Sequence, residues 1–153
     1  MRISSFITQD LIIPELRARD KEGVLMELAE NIAAFFPNLP REELVAVLQE
    51  REKLGSTGIG EGFAIPHGKL RNSDRIIISF GRSRPGIPFD SMDGRPAHYF
   101  FVLVAPENSA GDHLKALAKI SRFIKNSTFK EELARAQDGA TLEKLIREQD
   151  DLT

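Results

Sequence analysis

Apolar residues in this chain recur with two periods, one helical and one strand-like. From Lys21 to Phe36 the positions Val24, Leu25, Leu28, Ile32 and Phe35 share a helical face, and Asp20 is placed to cap its start. Pro37-Asn38-Leu39-Pro40 ends that helix. Pro40 suits the first position of a second helix, with Glu42 and Glu43 in its positive first turn. This helix runs to about Leu54, carries Leu44, Val47 and Leu48 inward, and stops at Gly55. Near the N-terminus, Leu11-Ile12-Ile13 before Pro14 predicts a short strand or a packed extended arm. Arg75 to Ser83 holds Ile76-Ile77-Ile78-Ser79-Phe80, a β-branched strand, and Arg84-Pro85-Gly86 turns the chain. The proline-broken Ile87-Pro88-Phe89 predicts an edge at best. Ala97 to Ala105 is almost continuously apolar and predicts a central strand covered on both faces.

After Pro106, the spacing of Leu114, Leu117, Ala118, Ser121 and Ile124 predicts a helix with His113 in or near its first turn. Thr128 to Glu131 has the form of a capping box opening another helix, which stops before Gly139. Thr141 is expected to cap a last helix with Leu142, Leu145 and Ile146 inward, leaving residues 149–153 as a frayed tail. Strands and helices mixed in this order imply an α/β fold: a mixed central β-sheet flanked by helices, as a single-domain sandwich.

The stretch from Arg51 to Lys69 breaks both periods. It holds Gly55, Gly58, Gly60 and Gly62 and ends on Pro66-His67-Gly68. Glycines this dense mark a backbone that turns tightly or lets a ligand approach its N–H groups. A nucleotide cradle does not fit. No Gly-Lys-Ser/Thr closes the run, the spacing is not G-x-G-x-x-G, and a strand-like Phe63-Ala64-Ile65-Pro66 follows where a helix N-terminus is needed. The loop instead delivers His67 between a stiff neighbour and a small one. A histidine can serve as base, metal ligand, structural hydrogen-bonder or nucleophile.

Arg51 lies on the inward stripe of the second helix, seven residues after Leu44 and four after Val47. Two readings follow: a side chain snorkelling at a helix C-terminus, or a guanidinium pointing over the loop toward His67, where its planar fork suits phosphate oxygens. His113 reads either as a surface histidine or as part of an anion site at a helix start that follows a central strand. His98 is taken as structural, and the three scattered histidines make no metal site by spacing.

The run Gly55-Ser56-Thr57-Gly58-Ile59-Gly60, a short step, then Ala64-Ile65-Pro66-His67 resembles the active-site segment of the type-2 IIA proteins of the bacterial sugar phosphotransferase system. That family comprises fructose/mannitol-type IIA domains and nitrogen-regulatory IIA proteins, and the Gly68-Lys69 ending looks most like the nitrogen-regulatory branch. The resemblance covers residues 4–148 and implies a similar fold with a central mixed sheet. It implies that His67 is phosphorylated on Nε2 by a phosphohistidine carrier protein, with a second histidine, matching His113, nearby. Arg51 and His113 are the candidates to stabilise the phosphoryl oxygens; Ser56, Thr57 and loop N–H groups are weaker ones. The phosphoryl group then serves a regulatory output through target proteins or passes to a separate sugar-specific IIB protein. No cofactor, metal or nucleotide is called for at this step. A hydrolase with Ser56 as nucleophile and His67 as base lacks a G-x-S-x-G elbow. Charge added at His67 is expected to act on the surrounding surface, including the exposed parts of the glycine loop and Phe63.

Composition narrows the picture further. The 153 residues are enough for one domain with a real core, and a net charge of −2 argues against nucleic acid as the main partner. With no cysteine, disulfides and thiolate chemistry are excluded, which is compatible with a cytoplasmic location. No apolar run is long enough for membrane insertion, and Met1-Arg2-Ile3-Ser4-Ser5 has no apolar signal core.

Overall fold

The computed structural model describes residues 1–71 and 73–153. In chain order these form β1 (Ile12–Ile13), α1 (Lys21–Phe35), α2 (Arg41–Lys53), β2 (Gly58–Gly60), β3 (Phe63–Ala64), β4 (His67–Leu70), β5 (Ile77–Ile87), β6 (Ala97–Pro106), α3 (Ala110–Ile124), α4 (Ser127–Arg135) and α5 (Gly139–Leu152). The sheet is mixed, in the order β1-β5-β6-β3-β2, with β4 also paired to β6. β6 is the hub. It runs antiparallel to β5 and parallel to β3 and then β4, which share one of its edges end to end.

Alternation along β6 splits the core in two. Tyr99, Phe101 and Leu103 face one layer with α3, α4 and α5, against Ile120, Phe123, Phe129, Leu133 and Ile146. Phe100, Val102 and Val104 face the other, with α1 and α2, against Leu25, Leu28, Ile32, Leu44 and Leu48. All six of these β6 side chains are buried, so the continuous apolar run reflects a strand covered on both faces.

Of the two expectations for the N-terminal arm, the short strand is present as β1, which pairs parallel with β5; two 3₁₀ turns, Ile3–Ser5 and Gln9–Leu11, precede it in place of an extended arm. Asp20 caps α1 as expected, its carboxylate accepting from the Gly23 N–H at 2.7 Å. Pro40 sits one position earlier than expected, at the N-cap of α2.

Four boundaries differ from the sequence expectation. β5 continues through Pro85-Gly86 to Ile87, which pairs with Ala97 after a register shift, so the expected turn is an irregularity within a longer strand. α4 is capped by Asn126, whose Oδ1 accepts from the N–H groups of Thr128 and Phe129, and not by Thr128. Asp138 caps α5, accepting from the Thr141 amide and hydroxyl, which makes Gly139 the first residue of α5. The carbonyls that end α4 go instead to the buried Arg82, whose Nη1 donates to Leu133 and Ala136 at 2.8 and 2.7 Å.

The fourth difference is the C-terminus. Residues 149–153 are not a frayed tail: α5 runs to Leu152, and Gln149 and Asp150 are buried. The Asp150 carboxylate pairs with Lys119 Nζ at 2.8 Å and accepts from the Ser4 amide and hydroxyl, while Lys119 also donates to the Met1 carbonyl. A buried carboxylate with that many partners holds the helix end and the N-terminal arm together.

Candidate phosphoryl site

His67 opens β4 at the point where β3 gives way to it. Ala64 pairs with Phe100 and His67 with Leu103, so Ile65-Pro66 bridges two short strands along the same edge of β6. Pro66 has no N–H to give, but its carbonyl accepts from the Leu103 amide at 3.0 Å and keeps the junction in register. Side chains then alternate. Leu70 joins the α1/α2 core, and a Cβ on Gly68 would point at Val47 of α2. His67 and Lys69 therefore face the α3 side.

The His67 ring is oriented by its own backbone. Nδ1 lies 2.8 Å from the Ile65 carbonyl, which can only accept, so Nδ1 carries the proton and the ring's in-plane lone pair is on Nε2. Burial lowers the His67 pKa. The Ile65 bond and the Glu52 charge push it up and the Arg51 charge pushes it down, leaving it below the ordinary 6.5. The ring is thus held neutral with one defined nucleophilic nitrogen.

Arg51 and His113 both reach this ring. Arg51 sits in the last turn of α2; its Nε donates to His67 Nε2 at 3.3 Å and its Nη1 to the Gly55 carbonyl at 2.8 Å. The guanidinium therefore lies over the glycine loop, beside the His67 ring. His113, in the first turn of α3, is buried and places its ring edge-on to His67, 5.5 Å between centroids and 81° between planes. Its Nε2 is buried with no partner among the described residues, and burial together with the charges of His67 and Lys69 lowers its pKa. It is not a surface histidine. The third one, His98, has Nδ1 2.9 Å from the Ser83 carbonyl, a structural bond.

Ser56 and Thr57 are differently employed. The Ser56 hydroxyl donates to the Phe89 carbonyl at 2.7 Å and accepts from the Gly58 amide. Thr57 is buried, and both its amide and its hydroxyl donate to the Glu52 carboxylate. Their hydroxyl protons shape the loop and are not presented to a phosphoryl group. Phe63, expected to contribute to the surface around His67, is fully buried, stacked with Phe101 and tilted against Tyr99. The exposed apolar side chains flanking the site residues are Leu54, just past Arg51, and Leu114, beside His113.

The residue that sequence reasoning missed is Glu52. It is 9% exposed and its carboxylate also pairs with Lys21 Nζ at 2.8 Å. Within Arg51-Glu52-Lys53 it reads as one more charge on a solvated helix end; the only available signal was its position three residues before a glycine loop rich in free N–H groups. A depression of about 770 Å³ between Arg71, Arg75 and Glu107 does not include His67. Among the described residues no group of three or more His, Cys, Asp or Glu could hold a metal, and no helix is long and apolar enough to cross a membrane.

Residues 5–149 match the family described as phosphoenolpyruvate-dependent sugar phosphotransferase system, EIIA 2. The chain belongs to the type-2 IIA family. Members of this family are phosphoryl-transfer components of the phosphotransferase system. The IIA chain is 39% identical to a nitrogen regulatory protein of Bradyrhizobium diazoefficiens over 93% of its own length and 92% of the relative's. It is 32% identical to a fructose-specific EIIA component of Haloferax volcanii, over 95% of each. Its fold matches that of the nitrogen regulatory protein IIA-Ntr from Neisseria meningitidis with a TM-score of 0.88 and 28% identity, covering 94% of this chain and 98% of that one. The mixed sheet flanked by helices is the architecture expected from the sequence.

Proposed function

We propose that the IIA chain accepts a phosphoryl group on Nε2 of His67 from a phosphohistidine carrier protein, and that its main output is regulatory. One observation carries the site: the Ile65 carbonyl holds the proton on Nδ1, which leaves Nε2 as the nucleophile. In the transfer, the donor's N–P bond breaks as the Nε2–P bond forms, and the donor nitrogen keeps the electron pair. Arg51 Nε, now on Nε2, moves onto the incoming phosphoryl oxygens, and its fork remains anchored through Nη1 to Gly55. His113 Nε2, without a hydrogen-bond partner among the described residues, supplies a second polar contact beside the ring when protonated. The product is a phosphohistidine of high transfer potential, so the domain, taken as residues 4–148 with the closing turn of α5, acts as a relay and not as a hydrolase.

The test is incubation with phosphorylated carrier protein, followed by mass measurement and acid lability. Wild type should gain one acid-labile phosphoryl group and His67→Ala none; uptake by His67→Ala would overturn the assignment. The regulatory output rests on the nitrogen regulatory relatives and on the charge change itself. Up to about two negative charges would arrive beside exposed Leu54 and Leu114 and alter which partners dock there. The likeness to a fructose-specific EIIA component favours a second reading, transfer onward to a separate sugar-specific IIB protein. Pull-downs with phosphorylated and unphosphorylated chain separate the two. Equal recovery of the same partners, with efficient transfer to a IIB protein, would replace regulation by transport.

A further inference from the structure

The Glu52 carboxylate is almost out of solvent, and its hydrogen bonds and ion pair go to Thr57 and Lys21, not to His67. It is the start of a continuous series of hydrogen bonds that ends on the nucleophile. Glu52, held by Lys21 Nζ at 2.8 Å, accepts the Thr57 amide at 3.1 Å and the Thr57 hydroxyl. The Thr57 carbonyl accepts from the Ile65 amide at 3.0 Å. The Ile65 carbonyl accepts from His67 Nδ1 at 2.8 Å, and His67 Nε2 accepts from Arg51 Nε at 3.3 Å. Arg51 and Glu52 are consecutive in α2, so the series starts and closes on the same helical turn.

Each link is directional. The Ile65 carbonyl accepts the Nδ1 proton and Arg51 Nε donates to Nε2, so both favour the Nδ1–H tautomer; the Ile65 amide on Thr57 and the Pro66 carbonyl on the Leu103 amide hold that carbonyl in place. Residue 57 lies between Gly55 and Gly58, in a loop whose Gly55 has φ +149, and intrinsic backbone preference does little to hold it. Two donors of Thr57 converging on one buried carboxylate supply what the glycines lack. Lys21 Nζ fixes that carboxylate in place; it also lies 4.8 Å from the centre of the Phe89 ring, and Phe89 is the residue whose carbonyl takes the Ser56 hydroxyl.

We infer that Glu52 is a positioning residue for phosphoryl transfer: through Thr57 and Ile65 it sets the tautomer and orientation of the His67 ring without contacting it. This rests on His67 being the phosphoryl acceptor, and the experiment keeps the two ideas apart. ¹⁵N-histidine NMR of the unphosphorylated chain reads the His67 tautomer with no donor present. Phosphoryl uptake from the phosphorylated carrier protein is measured separately as a function of donor concentration. Wild type should show a single Nδ1–H tautomer. In Glu52→Ala the Nε2–H tautomer should become populated, and kcat for uptake should fall about tenfold to a hundredfold with KM for the donor unchanged. Glu52→Gln, which keeps an acceptor for the Thr57 amide, should restore most of both.

A folded Glu52→Ala chain with one Nδ1–H tautomer and the wild-type rate would overturn the inference. So would a rise in KM with the tautomer unaltered, because that describes a docking residue. If Glu52→Ala does not fold, Thr57→Val decides. It removes one of the two donors at nearly constant shape and should shift the tautomer in the same direction by a smaller amount; no shift overturns the proposal. Failure of wild type to take up phosphate at all would refute the phosphoryl-acceptor reading, and the tautomer result would stand by itself.

Discussion

Gly68→Ala is the substitution through which the packing of this site can be tested most directly. A Cβ at Gly68 would lie 2.3 Å from Val47 Cγ1 and 3.4 Å from the Val47 carbonyl oxygen. Valine in a helix is nearly confined to one χ1 rotamer, so Val47 cannot swing clear without cost. Relief to ordinary contact needs about 1 Å of separation between α2 and β4, an overpacking strain of about 1–3 kcal/mol. Arg51 lies one turn beyond Val47 on the same helix and moves with it. Its 3.3 Å bond to His67 Nε2 is already long, and a further ångström removes it. Displacement on that scale is expected to slow phosphoryl uptake by about tenfold to a hundredfold. Urea unfolding gives the stability change and rapid-quench uptake from the phosphorylated carrier gives the rate. Val47→Ala in the Gly68→Ala background should return much of both. Gly68→Ala with wild-type midpoint and wild-type rate, or a double variant no better than the single one, would refute the reasoning.

Three other outcomes are expected. His113→Ala should lower the uptake rate by about 10²–10³ without abolishing it, measured by the same quench assay, because a polar helper is lost while the nucleophile remains. The His67 pKa is depressed below 6.5, so its contribution to stability is present above that value and is lost as pH falls through the folded pKa. Uptake needs the neutral ring, so the acidic limb of the pH–rate profile should lie below 6.5, and a limb above it would contradict the site. Asp150→Ala should cost about 3–5 kcal/mol in denaturant unfolding, since it strands the buried Lys119 ammonium and the Ser4 donors. Burial pushes the Asp150 carboxyl up, but Lys119 and Ser4 outweigh it and hold the pKa below 3.8, so this stabilisation should persist above that value and fade in stronger acid.

What could be read from the sequence was what periodicity carries. Arg51 was placed on the inner stripe of α2 by counting from Leu44 and Val47, and His113 at a helix start by the spacing that begins with Leu114. The central strand is legible in the nearly continuous apolar run from Ala97 because both its faces are covered. Contacts between distant segments leave no such mark. Glu52 meets Lys21 and the loop that follows it only after folding, and Asp150 meets residues at the other end of the chain, so both look like ordinary surface charges. The caps of α4 and α5 are ambiguous in the sequence because Asn126 and Thr128, or Asp138 and Thr141, satisfy the same local rule. The choice is made by which side chain the incoming backbone aims at the free amides.

The division of the core by β6 has a consequence for how errors elsewhere in the molecule make themselves felt. Arg51 comes to His67 from the α1/α2 layer and His113 comes from the α3 layer, and at that end of the sheet a single short strand separates them. The imidazole is in effect a gauge laid across the seam between two independently packed slabs. Thinning either slab, at Leu28 on one side or Phe123 on the other, lets that slab settle against the sheet and changes one of the two approaches while leaving the other alone. The speed of phosphoryl uptake should therefore register packing faults many residues from the site, in folded protein, and the identity of the disturbed partner should tell which slab carries the fault.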